Sequence, residues 1–169
     1  MLRKNSSRRS KYKGGTFAIV ASKYNSRYVD AMLRAAQAEL KRAGAVVRVV
    51  RVPGAYEIPV VAARLARTSR ITQHATHPVA ILCLGVILRG QTVHAAQIGD
   101  AVSRALMNIQ LETGVPVIHE VLLLESHEQA KARCCDPKHN RGTEAAQTAL
   151  EMARVMAGLA AELDDDVPF

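Results

Sequence analysis

The chain has 169 residues, 49% of them apolar, and 23 Lys and Arg against 15 Asp and Glu give a net charge of +8. That length suits one domain with a real core, and the apolar content excludes a largely disordered chain. No apolar run approaches the ~18 residues of a membrane span, and the basic N-terminus lacks the apolar region of a signal peptide.

The charge is unevenly placed. Residues 1–13 hold Arg3, Lys4, Arg8, Arg9, Lys11 and Lys13 and no acid, so this stretch carries +6 of the +8 and leaves +2 for the rest. A positive tail binds polyanions weakly and without specificity, whereas a nucleic-acid reader shows a basic folded face, so a nucleic-acid partner is not expected. The C-terminus is acidic, with Glu162, Asp164, Asp165 and Asp166. The expected organisation is a flexible basic arm over 1–13, one domain over 14–160 and an acidic end over 161–169. Cys83, Cys134 and Cys135 are odd in number and lack ligand spacing, which argues against a disulfide framework and points to a reduced, cytoplasmic setting. The scattered histidines show no metal-ligand spacing.

Taken in order, Thr16–Ala21 reads as a strand, followed by a polar loop, Ser22–Ser26. Apolar residues recur at helical spacing from Arg27 to Ala43, and Gly44 closes that helix. Ala45–Val52 reads as a second strand, with Arg48 and Arg51 leaving an edge or a face wet. Pro53-Gly54 forces a turn, and Pro59 suits the first turn of a helix running to about Arg70. After a loop over 71–78, the apolar run Val79–Leu84 reads as a buried strand, broken at Gly85 and again at Gly90. A polar cluster follows, Arg89, Gln91, Thr92 and His94, and a helix runs from His94 to Thr113, stopped by Gly114. Pro116–Leu124 is the fourth strand, Ser126–Arg133 a short helix, and Arg141 opens the last helix.

Strands alternating with helices predict an α/β fold, a four-stranded parallel sheet covered on both faces in a three-layer α/β/α sandwich. The strand-end loops then gather on one edge, where ligands bind in open α/β sheets. Tyr24, Tyr56, Glu57, Arg89, Gln91, Thr92 and His94 share that edge. Tyr24 is either a shelf for a flat ring or a loosely packed surface tyrosine. Glu57 suits hydroxyl recognition and equally a helix N-terminus. His94 is a general acid/base or a solvated histidine. Arg133 and Arg141 flank the last loop as phosphate clamps or as ordinary helix-end charges. There is no Walker-type loop and no dinucleotide glycine fingerprint.

These residues also fall into a known pattern. Tyr24-Asn25, PGAYEIP at Pro53–Pro59, GVILRGQTVH at Gly85–His94, VPVI at Val115–Ile118, Glu128-Gln129-Ala130, Asn140-Arg141-Gly142 and Glu144-Ala145-Ala146 occur in family order over about residues 16 to 157. The chain thereby resembles the 6,7-dimethyl-8-ribityllumazine synthases of riboflavin biosynthesis. The resemblance implies a flavodoxin-like fold and no metal or redox cofactor. It implies two small-molecule substrates, 5-amino-6-(D-ribitylamino)uracil and 3,4-dihydroxy-2-butanone 4-phosphate.

By the same resemblance, Tyr24 stacks on the pyrimidine, and Ala55, Tyr56 and Glu57 bind the ribityl chain. Val86, Ile87 and Leu88 line the pyrimidine pocket through backbone groups, Gln91 and Thr92 hold phosphate, and His94 transfers protons. Sites are implied between subunits of a homopentamer, with His119 and Arg133 supplied by the adjacent chain, Arg133 on the phosphate. Arg141, where the family often has lysine, adds positive charge. Tyr24, Gln91, His119 and Leu123-Leu124 depart from the family's common residues. Assembly size stays open among pentamer, decamer and a sixty-subunit shell, with or without an associated riboflavin synthase. The alternative is a non-catalytic flavin- or lumazine-binding or shell-forming module of the same fold.

Overall fold

The computed structural model describes residues 12–71 and 77–165. Four strands and five helices are described: β1 (Thr16–Ser22), α1 (Ser26–Arg42), β2 (Val46–Val52), α2 (Ile58–Ile71), β3 (Ala80–Leu88), α3 (His94–Thr113), β4 (Val117–Leu124), α4 (His127–Cys134) and α5 (Arg141–Asp165). The strands pair in parallel in the order β2-β1-β3-β4. This order is that of a flavodoxin-like sheet, the fold that the resemblance implied.

The order dictates the layers. From β1 the chain first moves one way to β2, then crosses back over β1 to β3 and on to β4. Because crossovers are right-handed, reversing direction sends the connecting helices to opposite faces. Alternate residues of each strand supply the two cores. Phe17, Ile19 and Ala21 with Leu82 and Leu84 pack against α1, α4 and α5, where Met32, Leu40, Ala130, Ala149 and Leu150 are buried. Ala18 and Val20 with Ile81 and Cys83 pack against α2 and α3 through Ile58, Ala62, Val102 and Leu106. β1 and most of β3 are buried on both faces, which is why they read as unbroken apolar runs. β2 is an edge strand with exposed Val46 and Arg48, as its two arginines implied. Arg51 ties it down, pairing with Asp30 of α1 at 2.6 Å and donating to Ser22 O at 2.9 Å.

Three boundaries differ from the sequence reading. β3 does not stop at Gly85 but runs to Leu88, because its ladder with β4 continues from Ile81↔Val117 to Leu88↔Leu124. A Cβ on Gly85 would lie 3.1 Å from Val121 and 3.2 Å from Ile58, so this glycine lets α2 pack tightly on the sheet rather than ending the strand. The last helix reaches Asp165, into the stretch expected to be an acidic end. Tyr12 packs edge-on against Phe17 at 6.3 Å, so it belongs to the body and not to the arm. Most of the expected arm, residues 1–11, and residues 72–76 of the 71–78 loop lie outside the described residues. Among the described residues no helix is long and apolar enough to cross a membrane.

Candidate active site

The direction reversal opens a gap at the C-terminal edge of the sheet. β1 pairs with β3 only as far as Ala21↔Leu84, while β3 continues for four further residues, Gly85–Leu88, beside β4. The N–H groups of Ile81 and Arg89 go to Pro116 O and Leu124 O on the β4 side, each at 2.8 Å. Backbone groups alternate sides along a strand, so those of Val86 and Leu88 face the gap and those of Ile87 face β4. Val86 O accepts from Asn25 Nδ2 at 2.8 Å, and Leu88 lies four residues beyond the last β1 pair, Ala21↔Leu84.

Asn25 makes the first wall. It adopts a left-handed conformation (φ 55°, ψ 39°), which asparagine tolerates better than most residues, and its C=O accepts from Tyr28 and Val29 to start α1. The turn aims Tyr24 outward, and that side chain is 73% exposed. The second wall is the turn after β2. Lys23 N–H donates to Val52 O and Tyr24 N–H to Pro53 O, at 2.8 and 3.0 Å, so the two strand-end loops run side by side. Glu57 Oε2 accepts from Gly54 N–H at 2.9 Å and closes the turn, leaving Tyr56 exposed. The acid therefore holds the turn just ahead of α2.

The third wall is the start of α3. Val93 at its N-cap offers no side-chain oxygen, and the His94 N–H has only a long contact, 3.4 Å, to Thr92 Oγ1. The N–H groups of the first turn have no intrahelical acceptors and lie beside Gly90 and Thr92, a suitable place for an anion. Together these elements enclose a cleft of about 1040 Å³, lined by Tyr24, Ala55, Tyr56, Glu57, Val86, Ile87, Leu88, Thr92 and His94 among others.

Four residues expected at the site lie elsewhere in the same chain. Gln91 is exposed in the β3–α3 loop and does not line the cleft. His119 sits on the edge strand β4 facing α3, where its Nε2 is 2.9 Å from Ser103 Oγ. That hydroxyl donates to Gly99 O at 2.7 Å, so Nε2 carries the ring proton and donates to it. Burial of the ring holds the His119 pKa below its usual value. Arg133 is exposed near the end of α4 and, among the described residues, has no hydrogen-bond or ion-pair partner. Arg141 is not poised for an anion within its own chain: its Nε lies 2.6 Å from buried Glu120 and its Nη1 2.6 Å from Glu144.

The sequence reading passed over His127, which lines the cleft at the start of α4, 2.9 Å from the Tyr28 hydroxyl through Nδ1. Its place just beyond the C-terminal end of a predicted strand was the available signal. Among the described residues, no group of three or more His, Cys, Asp or Glu could hold a metal ion.

Comparison with known proteins agrees with this geometry. Residues 14–157 match the sequence pattern of the 6,7-dimethyl-8-ribityllumazine synthase family. Proteins carrying that name in Xanthomonas oryzae pv. oryzae and Stenotrophomonas maltophilia are 41% identical over 143 residues and 42% identical over 146 residues. The alignments cover 83% and 85% of this chain and 88% and 90% of those proteins. A third, from Xanthomonas campestris pv. campestris, is 42% identical over 143 residues, covering 83% of this chain and 88% of that one. The flavodoxin-like sheet, the cleft at its switch point and the match over 14–157 place the chain in the 6,7-dimethyl-8-ribityllumazine synthase family.

Proposed function

We propose that this chain is a 6,7-dimethyl-8-ribityllumazine synthase, a transferase. It condenses 5-amino-6-(D-ribitylamino)uracil with 3,4-dihydroxy-2-butanone 4-phosphate and releases phosphate and water. An amine of the uracil adds to the ketone and loses water to form an imine. Phosphate leaves, the enol tautomerises, and the second amine closes the ring with loss of another water. The observation that carries this reading is the convergence of an exposed tyrosine shelf, a strand end with open backbone groups, a helix N-terminus and a histidine on one cleft.

Tyr24 stacks on the pyrimidine, Val86 and Leu88 meet its polar edge through backbone groups, and Ile87 supplies an apolar side chain. Ala55, Tyr56 and Glu57 meet the ribityl hydroxyls. Thr92, Gln91 and the first turn of α3 receive phosphate, and His94 moves protons between the amines, the ketone oxygen and the departing groups. Arg133 completes the phosphate site and His119 the ring pocket from the adjacent subunit of a homopentamer. Their positions off the cleft of their own chain support supply in trans, as do Val93, Met107 and Leu111, exposed apolar residues in the loop before α3 and on that helix. Pentamers assemble further or stand alone, a question for sedimentation. The site is expected to work in the cytoplasm.

The test is lumazine formation, followed by absorbance above the spontaneous rate. Arg133→Ala removes an exposed cation that has no ion-pair partner among the described residues, and leaves the fold intact. Loss of a charge-assisted phosphate contact is expected to raise KM for the butanone phosphate by ~10- to 100-fold. A wild-type rate no faster than the spontaneous one, or an unchanged KM in the variant, overturns the reading.

A further inference from the structure

We propose that His127 is a ring-recognition residue of this cleft, held in one tautomer by Tyr28. The proposal rests on the reading that the cleft binds a pyrimidine or lumazine ring.

The cleft has a polar group from each outer layer of the sandwich. His94 opens α3, in the layer with α2, and His127 opens α4, in the layer with α1 and α5. Both line the cavity, so a flat ligand seated at the sheet edge is approached from both sides. The His94 side also carries Gly90, Thr92 and the first turn of α3, the donors suited to an anion. The His127 side carries Asn25, with Nδ2 fixed on Val86 O, and the open end of β3. A phosphate on one substrate and a planar hydrogen-bonding ring on the other separate naturally along this axis.

The Tyr28 hydroxyl makes the histidine specific. Tyr28 is 5% exposed, and among the described residues its hydroxyl has only His127 Nδ1 as partner, at 2.9 Å. A buried phenol O–H needs an acceptor, and the neutral imidazole offers one at Nδ1. With Nδ1 occupied, Nε2 carries the ring proton and has no partner among the described residues. The cleft wall thus presents one N–H donor, held by a buried tyrosine, on the side where Asn25 and β3 end. A carbonyl oxygen of a pyrimidinedione matches such a donor. The chain position of Tyr28 strengthens the link, because its own N–H donates to Asn25 O at 3.0 Å. A hydrogen bond therefore ties the Tyr28–His127 pair to the Asn25 turn, which follows Tyr24 directly.

The experiment uses the full-length assembly and separates the two substrates. His127→Leu is expected to raise KM for the ribitylaminouracil ~10-fold, with KM for the butanone phosphate and kcat changed less than about twofold. His127→Gln, which keeps a donor, recovers part of the loss, and Tyr28→Phe shows a smaller loss on the same substrate. Fluorescence titration with 6,7-dimethyl-8-ribityllumazine gives a second readout that needs no turnover. Wild-type protein that binds lumazine in a His127-dependent way yet forms none leaves the inference standing and removes the activity. Turnover with an unchanged uracil KM in His127→Leu, a change falling on the phosphate substrate, or wild-type protein that binds no lumazine overturns the inference.

Discussion

The loop from Arg89 to His94 and the corner from Asn140 to Glu144 look alike as sequence. Each sets arginine, glycine and polar residues just ahead of a helix. In the structure they are opposites. At the corner Asn140, Arg141 and Glu144 are all occupied. Asn140 donates through Nδ2 to Cys134 O and accepts through Oδ1 from Gly142 N–H, while Arg141 joins Glu120 and Glu144. A Cβ on Gly142 would stand 2.0 Å from Met32 O, so α5 crosses α1 backbone to backbone at that point. At the loop Arg89 pairs with Glu125 at 3.2 Å, but the groups after it are held in place and unoccupied: Gly90, Thr92 and His94 face a cleft, and the first N–H groups of α3 have no strong cap. Arg133 and Arg141 repeat the contrast, one exposed and without an ion-pair partner among the described residues, the other locked between two carboxylates. Polar groups that satisfy each other fix a fold, and polar groups left facing a cavity are free to satisfy a ligand.

The contrast is breakable. If it holds, loop variants lose function at constant stability and corner variants lose stability at constant specific activity. His94→Ala is expected to show the largest effect, lowering kcat by ~1000-fold, about 4 kcal/mol at the barrier, with an unchanged melting temperature and retained lumazine binding. A lowered melting temperature would place His94 with the architecture instead.

Gly142→Ala comes next. Its methyl must displace main chain rather than a side-chain tip, and a loss of about 3 kcal/mol is expected in denaturant unfolding. Gly158 in the same helix has open space around its would-be Cβ, so Gly158→Ala should instead stabilise by roughly 0.5–1 kcal/mol. Equal effects at the two glycines would remove the close-crossing argument.

Arg141→Met sharpens the electrostatic half. It strands Glu120, whose side chain is 5% exposed. Breaking a fully buried pair costs more, but Arg141 is 33% exposed, so a loss of about 2 kcal/mol is expected at neutral pH. Burial already raises the Glu120 pKa and outweighs the Arg141 contribution that lowers it. Removing the arginine raises it further. A carboxyl that titrates higher in the folded chain than in the unfolded one favours the folded state when protonated. The deficit is therefore full above the folded pKa and shrinks as pH falls through it toward the unfolded value. A melting-temperature difference that widens in acid would contradict this assignment.

Much of the architecture was legible because it rests on local rules. Periodicity located all the helices and strands, and their alternation implied the parallel three-layer sandwich. Gly85 was misread as a strand end because a glycine's local signal is the same whether it breaks a strand or admits a neighbour. The strand-end residues Tyr24, Tyr56, Glu57, Thr92 and His94 were legible as one edge, since a parallel sheet sends all its C-terminal ends the same way. His127 was missed because its place just beyond a predicted strand end was its one local signal. Only the packing of α4 against α1 brings it to Tyr28.

By itself, the sequence determined the order of elements, the parallel sheet, the edge that would hold a site and the family that it resembled. Those follow from side-chain period, turn chemistry and chain connectivity, all short-range. The tertiary structure decided which arginine is occupied, which glycine is a crossing point, where β1 leaves β3 open and which histidines face the cleft. Each of those depends on a partner far along the chain, as Arg141 depends on Glu120 and His127 on Tyr28. A polar group's availability is a property of its neighbours in space, and folding chooses those neighbours.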